Sequence, residues 1–274
     1  MSAPDRVLLS RIDDAGINAS APRQQRWIDG WLVRFSPGKA KRARCIQAVS
    51  AGRMSVDEKL EVCQQLYAEH SLPLIVRVTP FSQPPGIDDR LESLGFEREE
   101  ETCVMVLPQL PDGAESSWPT GYRVEALSHR ALADVVGEFR GSPWDQREAH
   151  AERLEFSPVP FQAAAVIAPN GAVAACGQYA VEDGLVGLYD VFTAEAERRS
   201  GLAGGLCRYL LQAAKAQGAH TAYLQVERRN MAARRVYERL GFEEAYRYHY
   251  RLAPEGPRAA ERIASGDAAS PQRA

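Results

Sequence analysis

The heptapeptide Leu91-Glu92-Ser93-Leu94-Gly95-Phe96-Glu97 comes back later in the chain as Tyr237-Glu238-Arg239-Leu240-Gly241-Phe242-Glu243. The same patterns precede both copies. A helical stretch, a turn and an apolar strand run Val56 to Glu69, then Leu74 to Val78. They run again Gly204 to Ala216, then Thr221 to Val226. One supersecondary order repeated at such a distance means one fold present twice. The length agrees, since 274 residues exceed a typical single domain and suit two. Residues 108–120 concentrate proline, glycine and serine with no surviving period and are the expected linker. They divide the chain into a first domain over 1–107 and a second over 121–253. Residues 254–274 hold almost no large apolar side chain, cannot bury enough surface to offset ordering, and are expected to be a disordered tail.

The second copy is the fuller one. Tyr122 to Leu127 reads as a short strand, and Arg130 to Phe139 and Asp145 to Leu154 as helices. Phe161 to Ala168 alternates as a strand, turns at Pro169-Asn170-Gly171 and returns over Ala172 to Val181. After Glu182-Asp183-Gly184 a third strand spans Leu185 to Thr193. In the helix that follows, Leu206, Leu210, Leu211 and Ala214 share one face, and Gly218 is its stop. Thr221 to Val226 is a strand, Asn230 to Leu240 a helix, and Phe242 to Leu252 a last strand. This order predicts an α+β fold, a mixed and mostly antiparallel sheet flanked by helices. In the first copy, Trp31 to Phe35 and Ala43 to Val49 supply a hairpin around Ser36-Pro37-Gly38.

Composition narrows the function. A formal net charge of -3 and a pI of about 6.0 give no general attraction to nucleic acid or to an anionic membrane. No apolar run approaches the roughly 20 residues of a membrane span, and Met1 to Arg11 lacks the marks of a signal peptide. Cys45, Cys63, Cys103, Cys176 and Cys207 are odd in number and never spaced as CxxC. They read as reduced, buried thiols of a cytoplasmic protein without a disulfide framework. The histidines are dispersed, so no metal site is expected.

The chemistry concentrates in Arg198-Arg199-Ser200-Gly201-Leu202-Ala203-Gly204-Gly205, between a strand and a helix. A diphosphate needs close backbone approach and free N–H groups, which a glycine-rich helix start provides. At the corresponding place in the first copy the chain reads Val49-Ser50-Ala51-Gly52-Arg53-Met54-Ser55, where one glycine remains, and the position of Tyr237 is Leu91. The first copy is therefore expected to have lost ligand binding. Arg198, Gly201 and Ala203, with the series Asn230, Ala233, Tyr237, Gly241 and Phe242, resemble the acetyl-coenzyme A site of the GNAT superfamily of N-acetyltransferases. Asp29 to Leu32, Leu224 to Glu227 and the final strand are similar to a group of bacterial tandem-GNAT proteins.

That resemblance implies an acetyl-CoA-dependent N-acetyltransferase without a metal. The strand ending Val191-Phe192-Thr193 would splay from its neighbour and pair with the pantetheine arm. The backbone of Arg199, Ser200, Gly201, Leu202, Ala203 and Gly204 would hold the diphosphate, with Arg198 beside it and Ala233 in the second motif. Asn230 would hydrogen-bond near the pantetheine or a site water. Tyr237 would protonate the departing thiolate while an amine attacks directly, in keeping with the lack of a recognisable nucleophile motif. The amine must first lose a proton. Asp190 is the nearest carboxylate, Glu227 ends the next strand, and water is the third candidate; alternation alone does not decide which of Tyr189, Asp190, Val191 and Phe192 face the site.

Acceptor choice in this fold would rest on Gly137 to His150, with Phe139, Arg140, Trp144, Asp145, Arg147 and Glu148. A small-molecule amine is the leading acceptor, a protein N-terminus or lysine the second, and a non-catalytic acyl-CoA sensor the rival of another class. No nucleic-acid or membrane partner is expected, and the chain would be a monomer or homodimer. Lys39, Lys41, Arg42 and Arg44 read as one solvated strand face, Trp27 and Trp31 as core.

Overall fold

A computed structural model describes residues 5–36, 38, 40–113 and 118–254. The tail expected over 254–274 lies outside the described residues apart from Pro254, as do Pro37, Lys39 and residues 114–117 of the expected linker. In chain order the elements are α1 (Arg6–Ala19), β1 (Gln24–Ile28), β2 (Trp31–Phe35), β3 (Ile46–Gln47), α2 (Val56–Glu69), β4 (Ile75–Val78), α3 (Ile87–Ser93) and β5 (Glu97–Leu107). There follow β6 (Arg123–Leu127), α4 (His129–Arg140), α5 (Trp144–Glu155), β7 (Phe161–Ile167), β8 (Val173–Glu182) and β9 (Leu185–Thr193). The chain closes with α6 (Leu202–Lys215), β10 (Thr221–Glu227), α7 (Met231–Arg239) and β11 (Glu243–Leu252). The α+β class holds.

Two compact units form, and they do not follow the division at 108–120. One contains Pro22–Thr102 and the chain from Arg247 onward; the other contains Met1–Ala21 and Cys103–Tyr246. They are called the N-terminal and C-terminal units below.

In the N-terminal unit, β1 and β2 form a hairpin closed by Asp29 and Gly30, both with positive φ (40° and 86°), the backbone a tight right-twisted turn requires. β2 pairs antiparallel with β3, as the expected hairpin requires. β3 is parallel to β4 through the crossover helix α2, and β4 pairs antiparallel with β11, His249 opposite Val78 and Leu252 opposite Ile75. Trp31, Val33, Ile46, Leu60, Val76, Leu91 and Phe96 are its core. Two expectations fail here. Trp27 is 61% exposed, because β1 is an edge strand. Lys41, Arg42 and Arg44 are not a solvated strand face: Lys41–Ala43 is a 3-10 turn, Lys41 pairs with Glu99 and Glu100, and Arg42 donates to the Tyr248 hydroxyl at 3.2 Å.

In the C-terminal unit the strands run β10-β9-β8-β7-β6. β9 and β10 are parallel, joined by α6, and the rest are antiparallel. Successive residues of β7 serve opposite faces, as a strand period of two dictates. Ala163, Ala165 and Ile167 pack with Leu132, Val136 and Leu154 of α4 and α5. Ala164 and Val166 pack with Leu202, Leu206 and Leu210 of α6 and with Tyr237 of α7. Helix α1, which no pattern in the sequence had marked, joins the first of these faces through Ala19. It is capped by Asp5, whose side chain accepts the N–H of Val7. All five cysteines are buried, and none is in a disulfide.

Candidate active site

Strands β9 and β10 pair only from Leu185↔Thr221 to Leu188↔Leu224, although both continue for several residues. Beyond Leu188 and Leu224 they part. Val191 to Thr193 lie beyond the paired stretch, so this edge of β9 faces a gap that an extended amide-bearing chain can fill. The splay expected at Val191-Phe192-Thr193 is present.

The other edge of β9 explains how the strand bends. Its register with β8 shifts, since Gln178 lies opposite Tyr189 but Cys176 opposite Phe192. β9 thus carries one extra residue, a bulge, and Asp190 within it has φ +48°. The bulge sends Val191 toward α6, where its methyl lies 3.3 Å from the place a Cβ on Gly177 would occupy. Phe192 goes to the α4/α5 face, its ring 6.3 Å from that of Phe139 and beneath the Arg140 guanidinium at 4.8 Å. Asp190 points to the same face. Its Oδ1 accepts from Arg140 Nη2 at 3.0 Å, and its Oδ2 accepts from Gln178 Nε2 at 2.7 Å and from His150 Nε2 at 3.1 Å. Burial alone would raise its pKa, but the His150 hydrogen bond and the charges of His150, Arg140 and Arg153 outweigh burial and hold the carboxyl well below its ordinary range. A carboxylate so placed is ionised and a weak base. Both its oxygens are taken up, by Arg140, Gln178 and His150. Glu227 ends β10 exposed to solvent.

After β9 a 3-10 turn (Glu195–Glu197) leads into the glycine loop. Arg199 has φ +68° and Gly201 φ +85°, and α6 starts at once with Leu202 buried as its anchor. The Ser200 hydroxyl donates to the Glu197 carbonyl and does not reach the helix. No side chain caps α6, and the first N–H returned to the loop is that of Gly205, to the Gly201 carbonyl at 3.1 Å. Leu202, Ala203 and Gly204 thus lie in the first turn, whose N–H groups have no carbonyl behind them in the helix. The space around them is clear. A Cβ on Gly201 would meet nothing within 4 Å, and one on Gly204 would meet only the end of Arg208 at 3.7 Å. Gly205 serves another purpose, since a Cβ there would come within 3.0 Å of the Trp118 ring. Arg198 and Arg199 are exposed beside this opening. A diphosphate fits such a loop.

Asn230 caps α7: its Oδ1 accepts the N–H of Ala233 at 3.1 Å. This takes up the side-chain oxygen and leaves the amide NH2 for a ligand. Tyr237 lies 9% exposed on the inner face of α7. Burial first, and the neighbouring Cys207 second, push its pKa up, so the phenol keeps its proton at neutral pH.

The matching loop of the N-terminal unit is already satisfied. Its helix α2 has a capping box, Ser55 accepting from the N–H of Glu58 and Glu58 from that of Ser55. Just before it, the Asp29 carboxylate accepts the N–H groups of Arg53 and Met54, each at 2.7 Å, with Lys59 at 3.3 Å. An anion supplied by the chain itself occupies the loop that in the other unit is open. Leu91, at the tyrosine position, is fully buried.

Of the expected acceptor residues, Phe139 and Arg140 reach the site; Trp144 is 72% exposed, and Arg147 and Glu148 pair with Glu138 and Arg130. His150 ends the expected acceptor segment, but its pairing with Asp190 is not legible in the sequence, because the two are 40 residues apart and the bulge that turns Asp190 toward it leaves no mark in the alternation. Among the described residues no group of three or more His, Cys, Asp or Glu side chains is placed to hold a metal ion, and no helix is long and apolar enough to cross a membrane.

Comparison with known proteins places this geometry. Over residues 9–251 the chain matches the family described as probable histone acetyltransferase Rv0428c C-terminal. It is 27% identical over 234 residues to YobR of Bacillus subtilis (strain 168), named an uncharacterized N-acetyltransferase, which covers 83% of this chain and 92% of that protein. Among solved structures, a GCN5-related N-acetyltransferase from Kribbella flavida superposes with a TM-score of 0.67 at 18% identity, covering 91% of this chain and 95% of the other. A tandem GNAT protein from the clavulanic acid biosynthesis pathway gives 0.59 at 16% identity, covering 72% and 69%. With the match running through both units and the fold shared, the chain belongs to the Rv0428c C-terminal family and is an N-acetyltransferase of the GNAT superfamily.

Proposed function

We propose that this N-acetyltransferase uses acetyl-coenzyme A, binds it in the C-terminal unit alone, and transfers the acetyl group to the primary amine of a small metabolite. The observation that carries the choice of unit is the contrast between two helix starts. α6 opens uncapped onto clear space, whereas α2 is closed by Ser55, Glu58 and Asp29. Acetyl-coenzyme A supplies the activated acyl group. The first-turn N–H groups of α6 hold its diphosphate, the edge of β9 from Val191 to Thr193 orients the pantetheine arm, and the Asn230 NH2 is left to assist. Tyr237 holds a proton at its hydroxyl for the departing sulfur.

The acceptor face supports a small amine. Three acids on or beside α4 and α5 are engaged, Glu148 with Arg130, Glu138 with Arg147 and Asp190 with Arg140, while Asp145 and Glu155 are exposed. A basic protein tail would be drawn by an acidic surface whose charges are uncompensated. The description of the matched family favours a second reading, acetylation of a lysine in a basic protein. Calorimetric titration with acetyl-coenzyme A tests the first part: one site per chain, lost in Gly201→Glu, is expected. Two sites would restore ligand binding to the N-terminal unit. Thiol release measured with a panel of small amines and amino acids, beside a histone-tail peptide, separates the two acceptor classes.

A further inference from the structure

We infer that His150 is the base that deprotonates the acceptor amine, with Asp190 as the residue that positions it. This rests on the acetyl-transfer reading above and adds to it the group that prepares the nucleophile.

The argument starts from the bulge. Without its extra residue, β9 would keep strict alternation; with it, the consecutive residues Tyr189 and Asp190 both serve the α4/α5 face, and alternation resumes with Val191 and Phe192. The Asp190 carboxylate therefore sits at the point where the backbone of β9 leaves β10. His150 of α5 reaches this carboxylate, Nε2 to Oδ2 at 3.1 Å. An ionised carboxylate only accepts, so Nε2 must carry the hydrogen. In the neutral ring that leaves the lone pair on Nδ1. The His150 side chain is 13% exposed, mostly enclosed yet still reachable. Asp190 is pinned independently by Gln178 and Arg140, so the ring has a fixed partner to swing against. A histidine whose far nitrogen is fixed by a buried acid is an oriented general base.

The charged and titratable groups around this pair come from each packed element. Arg140 lies on α4, Arg153 on α5, Cys176 on β8 and Asp190 on β9. Burial pushes the Cys176 thiol up to about 12, so it stays neutral and does not compete for the proton. The step balances simply. One proton passes from R–NH3+ to His150 Nδ1, the amine forms the C–N bond as the C–S bond breaks, and Tyr237 gives its proton to the sulfur. The second amine proton goes to solvent, which restores Tyr237, and His150 releases its proton to water.

Two measurements test this. First, a long-range 1H–15N spectrum of the 15N-histidine protein, with His150 assigned by its loss in His150→Gln, should show a pyrrole-like Nε2 and a pyridine-like Nδ1 for the neutral ring. The reverse tautomer would overturn the proposal. Second, thiol release is followed against pH for wild type and His150→Gln, using the amine that turns over best in the panel. Glutamine retains a donor for Asp190 but cannot take a proton. The variant should lose about 10²–10⁴-fold in kcat/KM for the amine and lose the acidic limb of the profile, while its acetyl-coenzyme A affinity stays that of the wild type. A variant that binds acetyl-coenzyme A and keeps both rate and limb would remove His150 from the chemistry and leave the acetyltransferase intact. A wild-type protein that binds no acetyl-coenzyme A would instead overturn the transfer reading, and this assignment with it.

Discussion

The ring of Tyr237 stands against that of Phe242, centroids 6.1 Å apart at 65°. These are the first and sixth positions of the repeated heptapeptide, so the packing that closes α7 onto its strand also encloses the phenol. Tyr237→Phe keeps this contact and removes only the hydroxyl, which makes no hydrogen bond among the described residues. Thermal stability should hardly change. The thiol is a fair leaving group unaided, so kcat should fall toward the low end of general acid catalysis, about 10²-fold. Stopped-flow thiol release checks it, and an unchanged kcat would take Tyr237 out of the mechanism.

Gly201→Ala isolates backbone from space. The added methyl meets nothing within 4 Å, but φ is +85°, which costs an alanine about 1–2 kcal/mol. A modest loss in stability is expected, with acetyl-coenzyme A binding weakened but present. Calorimetry beside Gly201→Glu, where binding should vanish, distinguishes strain from obstruction.

Gly52→Ala is the opposite case. Its methyl would lie 2.1 Å from the Asp29 carbonyl oxygen, with φ at +66°. The clash falls on backbone, so the loss should exceed the about 1–2 kcal/mol of the left-handed conformation itself. Denaturant unfolding should show it, and any residual folded protein should bind acetyl-coenzyme A as the wild type does. A benign Gly52→Ala would mean that the Asp29 turn is looser than its hydrogen bonds imply.

Asp190 links stability to acid. Its folded pKa lies below its unfolded value of about 3.9, so its contribution is complete above that pH and is lost as pH falls toward the folded value. In Asp190→Asn, Arg140 and His150 lose their shared anion. Stability at neutral pH should fall, by less than the about 3–5 kcal/mol of a fully buried pair because Arg140 is 39% exposed, and the acid limb of the stability curve should flatten. Urea unfolding between neutral and acidic pH reads both.

Much of this was legible in the residues, and what was not had specific causes. β9 was read with the bounds it has, because its apolar run is flanked by Gly184 and by the glycine loop. The repeat gave the crossover helices α2 and α6. α1 escaped because its buried face is Ile12, Ala15, Gly16 and Ala19, too small and mixed to stand out as an apolar stripe. β1 escaped because an edge strand with Trp27 outward lacks alternation. The direction of Asp190 could not be read, since one extra residue in a strand reverses every side chain after it. In the final strand, Tyr246 to Tyr248 alternate as expected, but His249 and Arg251 are also buried, held by Asp88 of α3 at 2.9 and 2.7 Å. Those partners are more than 160 residues away along the chain.

Because β4 takes β11 as its antiparallel neighbour, the sheet begun by residues 22–102 is completed by residues made after 246. At about 5–20 residues per second of synthesis, the edge of β4 waits on the order of ten seconds for its partner. Through that interval a nascent chain carries an open strand, the kind of template on which chains mispair. The unit whose ligand loop has been filled by Asp29 is thus the last to be finished. Its early self-closure at that loop gives the waiting half at least one firm corner.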